Sequence, residues 1–386
     1  MEFGFSAQDQ AFRAEVSAFL DREVTPAIVA ELDSGLGPGP ATRQLYKNLG
    51  AKGWLTATWP RQYGGIEGTN VQRLIVGEEL GRRRAYYALV GASMAGPTIL
   101  LFGTEELKQE FLPRIAAGEI EFALGYTEPE AGSDLAALDI RAVDDGDDFI
   151  INGQKIFNTA THYSDYHWLG ARTDPEAPKH KGVSLIIVDL KSPGITISPL
   201  WALTGRRTNV VYYQDVRVPK RNLVGDRGRG FYHIATALDF ERMFPMGDLL
   251  ADLDDMVAYL KEAKRDGAPA ARDPLVRQRL GEMAVQIEAL RLLSYHIAWL
   301  LDKGTIPNYQ SSMLKLFLSE TRQRFAALGV QILGPLGQLR RGGKWTQVEG
   351  RFAHEYLEGF ISTIVGGTSE VQRNIIATRG LGLPRT

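Results

Sequence analysis

The sequence predicts an α+β protein of three domains: N-terminal helices, a middle β-domain and a C-terminal four-helix bundle. Three observations predict it. Helical patterns run to about Ala117. From about Glu121 to Asp226, apolar runs alternate with turns of Gly, Asp and Pro. After FYHIATALDFERM the helical period returns and holds to the end. A strand block between two helical blocks argues α+β and not an alternating βαβ sheet. A chain of 386 residues has room for two or three domains. The expected boundaries are 1–119, 120–226 and 227–386.

Each element has its own signal. Ser6 precedes a helix with Phe12, Val16, Phe19 and Leu20 on one face. SGLGPGP (Ser34–Pro40) and WPRQYGG (Trp59–Gly65) interrupt the N-terminal helices. DFIINGQKIF (Asp148–Phe157), VSLIIVDL (Val183–Leu190) and VVYYQDVRVP (Val210–Pro219) read as strands. GDRGRG (Gly225–Gly230) reads as a domain connector, because its spacing does not fit a dinucleotide fingerprint. Leu275–Lys303 and Gln310–Leu333 are helical, and GPLGQLRRGGK (Gly334–Lys344) is a loop. Pro245 should kink the helix that carries ALDFERM.

Composition narrows the function classes. There is no cysteine, which excludes disulfides, thiolate nucleophiles, iron–sulfur clusters and Cys-based zinc sites. No metal site is expected. The net charge of −2 gives no general attraction to nucleic acid or anionic membrane. The N-terminal MEFGFSAQDQAFRAEV lacks the basic and apolar regions of a secretory signal. No apolar run approaches the ~18 residues of a membrane span. The expectation is a cytoplasmic protein.

Two segments carry chemistry. GYTEPEAGSDLAA (Gly125–Ala137) gathers Thr127, Gly132 and Ser133 around a proline. Small residues free backbone N–H groups and hydroxyls to point at one oxyanion, such as a diphosphate. On loop chemistry alone it reads first as a plain Asx/Gly turn. INGQKIFNTATH (Ile151–His162) places Phe157 beside Asn158 and Thr159, and an aromatic with hydroxyls nearby can floor a flat heterocycle. Alone, that is a strand end. A third segment, IVGGTSEVQRNII (Ile364–Ile376), sets two glycines before a helix start, which suggests a tight turn or a close approach.

Together these segments resemble the acyl-CoA dehydrogenase family over essentially the whole chain. YTEPEAGSD resembles its Thr-Glu-Pro-x-Ala-Gly-Ser-Asp signature, and INGQKIFNT its NGxK-aromatic-x-Thr strand. QILGPLG (Gln331–Gly337) resembles its Gln-Ile-Leu-Gly-Gly-x-Gly loop, with Pro335 replacing the second Gly. GGTSEVQRNIIATR resembles its terminal Gly-Thr-x-x-Ile-Gln-Arg helix.

The resemblance implies FAD. It places Tyr126 and Thr127 along the flavin ring, Thr159 near N5, Phe157 on the face away from substrate and Ser133 at the diphosphate. Gln331 and Gly334 would reach a neighbouring subunit's FAD, and Thr368 and Glu370 would lie near FAD. The implied reaction removes the α-proton and β-hydride of an acyl thioester. Its base is often a Glu just before the Gly-Thr of the terminal motif. Here that position is Gly366, whose N–H can still donate to the thioester oxygen and whose missing Cβ leaves room for a bulkier acyl chain. A minority of the family carries the base on a bundle helix, which points to Glu241 in ALDFERM, with Asp239 and Arg242 at the CoA end. Without the resemblance, Glu241 and Arg242 read as a solvated surface pair.

The Arg-x-x-Phe-Gly element of the family is missing from AKRDGAPAARDPLVRQ (Ala263–Gln278), as in members that take bulky or dicarboxylic acyl-CoAs. The implied partners are an acyl-CoA, an electron-transfer flavoprotein, and further copies in a homotetramer or a related chain in a heterotetramer. Alternatives are one subunit of a two-chain enzyme, or a same-fold flavin enzyme acting on a nitroalkane or a carrier-bound acyl group.

Overall fold

The computed structural model describes residues 5–241, 243–265 and 267–384, and the side chains of 237–241 and of Arg265 lie outside that description. In chain order the helices α1 (Ala7–Glu23), α2 (Pro26–Asp33), α3 (Pro40–Ala51), α4 (Asn70–Arg82), α5 (Gly96–Phe102) and α6 (Glu105–Ala116) come first. Seven strands follow: β1 (Phe122–Gly125), β2 (Arg141–Asp145), β3 (Asp148–Lys155), β4 (Tyr166–Arg172), β5 (Val183–Asp189), β6 (Ile195–Trp201) and β7 (Arg207–Pro219). Then come α7 (Gly230–Glu241) and α8 (Gly247–Glu262), and a small hairpin of β8 (Lys264–Arg265) and β9 (Ala268–Pro269). The chain ends with α9 (Pro274–Asp302), α10 (Asn308–Leu333), α11 (Arg351–Ser362) and α12 (Ser369–Ile375). The architecture is the expected α+β one: helices, a sheet block, helices.

The chain divides into two units. One holds residues 23–69 and 87–241. Its seven-stranded sheet has the order β1-β4-β2-β3-β7-β6, with β5 beside β4. The β1–β4 pair is parallel, while β2–β3, β3–β7, β6–β7 and β4–β5 are antiparallel. The sheet separates two cores. Leu185 and Ile187 of β5 enter one, with Trp59, Phe111, Phe122 and Trp168. Ile186 and Val188 enter the other, with Phe149, Ile151, Leu169 and Val211. Side chains alternate across a strand, so burial on both faces explains the unbroken apolar run VSLIIVDL. GDRGRG is not a free connector. A Cβ on Gly230 would lie 2.4 Å from the Ser184 carbonyl carbon, and the Gly228 N–H donates to Ser184 Oγ at 2.9 Å, so this segment is part of the sheet unit.

The other unit holds residues up to 22, residues 70–86 and residues from 242 on. Here α8, α9, α10 and α11 pack around Leu249, Met256, Ile287, Leu314, Phe325 and Phe352. Asp273 caps α9, accepting from Leu275 N at 2.9 Å and Val276 N at 3.3 Å, with Pro274 at the first helical position. Gly329 of α10 lets α11 close in, because a Cβ there would overlap the Phe352 ring at 1.9 Å. The helix α4 packs between these elements and α1 and carries buried Leu74, Ile75 and Leu80. The expected kink at Pro245 is a full break: α7 ends at Glu241, and α8 starts at Gly247.

Candidate functional site

In the sheet unit, β1 ends at Gly125 and delivers Tyr126-Thr127-Glu128 to one end of the sheet. The strand β3 runs against the direction of β1, ends at Lys155 and brings Ile156 to Thr159 alongside that segment. The Ile156 N–H donates to Thr127 O at 3.0 Å, which joins the two segments. Asn158 Nδ2 donates to Leu124 O at 2.9 Å. Lys155, with no exposure at all, donates from Nζ to Tyr126 O at 2.9 Å and to Glu128 Oε1 at 2.8 Å. Glu128 in turn accepts from Asp139 N at 2.6 Å and Ile140 N at 3.0 Å. Burial pulls the Lys155 ammonium down to about 8, against the upward pull of the Glu128 carboxylate. A buried ammonium needs such partners, and here they brace the segment.

The loop between these anchors is held at its far end by Arg172 of β4. Its guanidinium donates to Ala136 O at 2.7 Å and to Leu138 O at 2.8 Å. The tip is free: Gly132 and Ser133 are exposed, and a Cβ on Gly132 would meet no atom of the described residues within 4 Å.

Of the expected site residues, these two joined segments carry Tyr126, Thr127, Phe157 and Thr159. Thr127 and Thr159 are half-buried. Phe157 is 60% exposed, and its backbone sits at φ +61°, a region a non-glycine residue enters only when its surroundings dictate it. The ring of Tyr126 is turned into the core, so this residue offers backbone to a ligand and not its ring face. An exposed aromatic ring beside two hydroxyls, next to an open Gly-Ser loop, fits a flat heterocycle carrying a diphosphate.

In the helical unit, the terminal glycines lie between α11 and α12. Gly366 has φ +65° and Gly367 φ +89°. A Cβ on Gly366 would meet no atom of the described residues within 4 Å, whereas one on Gly367 would lie 2.4 Å from Gln372 Nε2. Buried Gln372 donates to both Gly366 O and Gly367 O at 3.2 Å. Thr368 caps α12, accepting from Val371 N at 3.3 Å. Glu370 is exposed. Its own backbone N–H, and then the Thr368 hydroxyl, hold its carboxyl below the usual carboxylate range. Thr368 and Glu370 line a cleft of about 440 Å³ together with Glu320, Arg324, Thr363 and Arg373. Gln331 and Gly334 sit at the end of α10 and do not line it. Gln331 accepts from Arg279 Nη1 at 3.1 Å, and Gly334 has φ +60°. Glu241 is the last residue of α7; its side chain, that of Asp239 and the whole of Arg242 lie outside the described residues.

Sequence reasoning missed Lys155, Glu128, Arg172, Asn209 and Gln372. Lys155, Glu128 and Gln372 had a signal, as residues of the NGQK, YTEPEAGSD and GGTSEVQR segments; Arg172 and Asn209 had none.

The helical–sheet–helical architecture and the hydroxyl-flanked aromatic define a class: flavin-dependent oxidoreductases acting on acyl thioesters. The family models agree. The acyl-CoA dehydrogenase N-terminal domain matches residues 6–119, the middle domain 123–216 and the C-terminal domain 228–381. The chain belongs to the acyl-CoA dehydrogenase family, and its cofactor is FAD. Acyl-CoA dehydrogenase FadE26 of Mycobacterium tuberculosis is 33% identical over 400 residues, covering 100% of this chain and 99% of that one. Among solved structures, the Tcur3481–Tcur3483 steroid ACAD is 35% identical with a TM-score of 0.92, covering 100% of both chains. The ChsE4–ChsE5 complex from Mycobacterium tuberculosis is 33% identical with a TM-score of 0.92, again over 100% of both chains. No helix among the described residues is long and apolar enough to cross a membrane.

Proposed function

We propose that the chain oxidises a bulky, ring-bearing acyl-CoA to its trans-2-enoyl-CoA, with Glu241 as the base. The observation that carries this reading is Gly366. It holds the place where many relatives keep a carboxylate, and the space beside it is open. The base must then come from another element, and Glu241 ends the helix that leads into the bundle. A carboxylate in a dry site gains basicity, which suits the weakly acidic α-proton. The Gly366 N–H donates to the thioester oxygen and stabilises the charge that builds there as the proton leaves. Asp239 and Arg242 hold the CoA end.

Bound FAD supplies the acceptor for the β-hydride. Thr127 and Thr159 would hold its ring edge, Phe157 would lie against the ring, and Ser133 would hold the diphosphate. Thr368 and Glu370 would lie near FAD, and Gln331 and Gly334 would reach a neighbouring subunit's FAD. Electrons leave to an electron-transfer flavoprotein. A steroid-derived substrate is supported by the similarity to a steroid ACAD, and the room at Gly366 accommodates a ring system.

The working form is a tetramer, with a second related chain in it. Val285, Leu292 and Trp299 support assembly: they lie exposed at seven-residue spacing on one side of α9. Two of the similar structures are named as pairs of chains.

Anaerobic stopped-flow bleaching of the flavin by steroid-derived acyl-CoA tests the base. Glu241→Gln should slow bleaching by about 10²–10⁴-fold, the usual contribution of a general base. Wild-type speed in this variant would exclude Glu241. Bleaching by a nitroalkane but not by any acyl-CoA would place the chain with the other flavin chemistries of the fold.

A further inference from the structure

We infer that Asn209 is a positioning residue that sets the Phe157–Thr159 turn against the flavin. Asn209 lies on β7, fifty positions along the chain from Thr159, and has no exposed surface. Its side-chain amide donates to Asn158 O at 2.7 Å and to Thr159 O at 3.3 Å. The same nitrogen lies 3.0 Å from His162 Nδ1. Its carbonyl side, Oδ1, accepts from Arg207 Nε at 2.9 Å. Its backbone oxygen accepts from Asn158 N at 3.0 Å. On the adjacent residue of β7, Thr208 Oγ1 lies 3.4 Å from Thr159 Oγ1.

One buried side chain therefore holds two successive carbonyls of the turn and is itself oriented by Arg207. The turn needs such a hold. Phe157 has φ +61°, a conformation that persists only where neighbours over-determine it. The backbone leaves β3 there, and it passes directly into Asn158 and Thr159. The Lys155–Glu128 brace fixes the facing segment, and Ile156 N to Thr127 O links the two. Asn209 is the element that determines where the far side, with the Thr159 hydroxyl, comes to rest. The ring floor and that hydroxyl move together when Asn209 is lost.

The inference rests on the reading that Phe157 and Thr159 meet FAD. Its test is FAD titration of apoprotein, followed by flavin fluorescence, with visible-region circular dichroism of the bound flavin at saturation. Asn209→Asp keeps the shape and the Arg207 contact but removes both donors. Asn209→Leu removes donors and acceptor alike. Each lost neutral hydrogen bond changes an equilibrium by up to about tenfold, so FAD affinity should fall about tenfold to a hundredfold in both. The flavin dichroism should change in the folded, saturated protein, which mere loss of stability would not produce. The Asn209→Asp variant should recover toward wild type as the pH is lowered, because the introduced carboxyl, once protonated, can again donate to Asn158 O. Wild-type affinity and dichroism in both variants would overturn the inference. If the Asn209→Leu variant does not fold, the Asn209→Asp variant decides alone. Wild-type apoprotein that takes up no FAD would instead overturn the underlying reading of the site.

Discussion

At the scale of the residue, the two terminal glycines are required for different reasons. Gly366 needs only its positive φ, since a Cβ there would meet no atom of the described residues within 4 Å. Gly367 needs both its φ and its missing Cβ, because Gln372 occupies the place a side chain would take. Gly366→Ala should cost about 1 kcal/mol of stability. Gly367→Ala should cost more, about 2–3 kcal/mol, because it also displaces the amide that holds both carbonyls. Thermal unfolding of the two variants checks the order; equal costs would mean the Gln372 contact is slack. His167 gives a pH prediction. It is fully buried beside the Tyr213 hydroxyl, and burial pulls its pKa down to about 3 from an ordinary 6.5. A depressed base stabilises the fold above its unfolded pKa and loses that contribution as pH falls toward the folded one. The unfolded chain takes up a proton below pH ~6.5 that the native ring refuses. By pH 5 this should remove about 2 kcal/mol, and His167→Gln should flatten the slope between pH 6.5 and 5. Urea unfolding at a series of pH values measures both.

At the scale of the element, α4 shows what charge does inside a helical unit. Glu78 is buried and meets Arg13 at 2.8 Å, Arg291 at 2.9 Å and the Tyr295 hydroxyl at 3.2 Å. Glu79 meets Arg13 at 2.7 Å and Arg83 at 2.8 Å. Glu78→Ala would remove the carboxylate shared by Arg13 and Arg291, leaving Arg13 with Glu79 and Arg291 with Glu288 at 3.3 Å, and should destabilise the unit by about 1–3 kcal/mol, read as a lower unfolding midpoint in urea. A loss below 1 kcal/mol would mean that water replaces the carboxylate. Such residues mark the limit of what the sequence discloses. The helices α1, α9 and α10 and the strands β3, β5 and β7 were legible because apolar spacing is a local property. The Gly-rich loop and the Phe157 strand end were legible because their motifs are contiguous. Asn209 and Gln372 were not, since an amide in a strand or helix looks the same whether it faces water or a buried carbonyl. The buried role of Lys155 was likewise hidden, because a lysine in a strand motif looks the same whether its ammonium meets water or a buried carboxylate. The pairing of distant strands decides Asn209 and Lys155, and no window of sequence contains it; Gln372 reaches carbonyls only five and six residues away, and there the fold of the glycine turn decides.

At the scale of the whole molecule, assembly can be tested apart from catalysis. The exposed stripe of Val285, Leu292 and Trp299 is apolar surface that a lone chain would leave in water. Placing a charge in it with Leu292→Glu should weaken association by at least tenfold, seen in sedimentation as a shift toward lighter species. An unchanged mass would mean that α9 faces solvent in the working protein.

The ring of contacts around Arg13 also has a temporal meaning. Arg13 Nη2 donates to the Tyr295 hydroxyl at 2.6 Å, across 282 residues of chain. On the ribosome α1 emerges long before its partners on α9. At about 5–20 residues per second, that gap lasts on the order of 15–60 s. Throughout it Val16, Phe19 and Leu20 have no finished unit to enter. The sheet unit, whose chain is complete by Glu241, can close while α1 still waits. The helix α1 therefore stays exposed on the nascent chain long after it is made, and its apolar face is covered only once α9 follows.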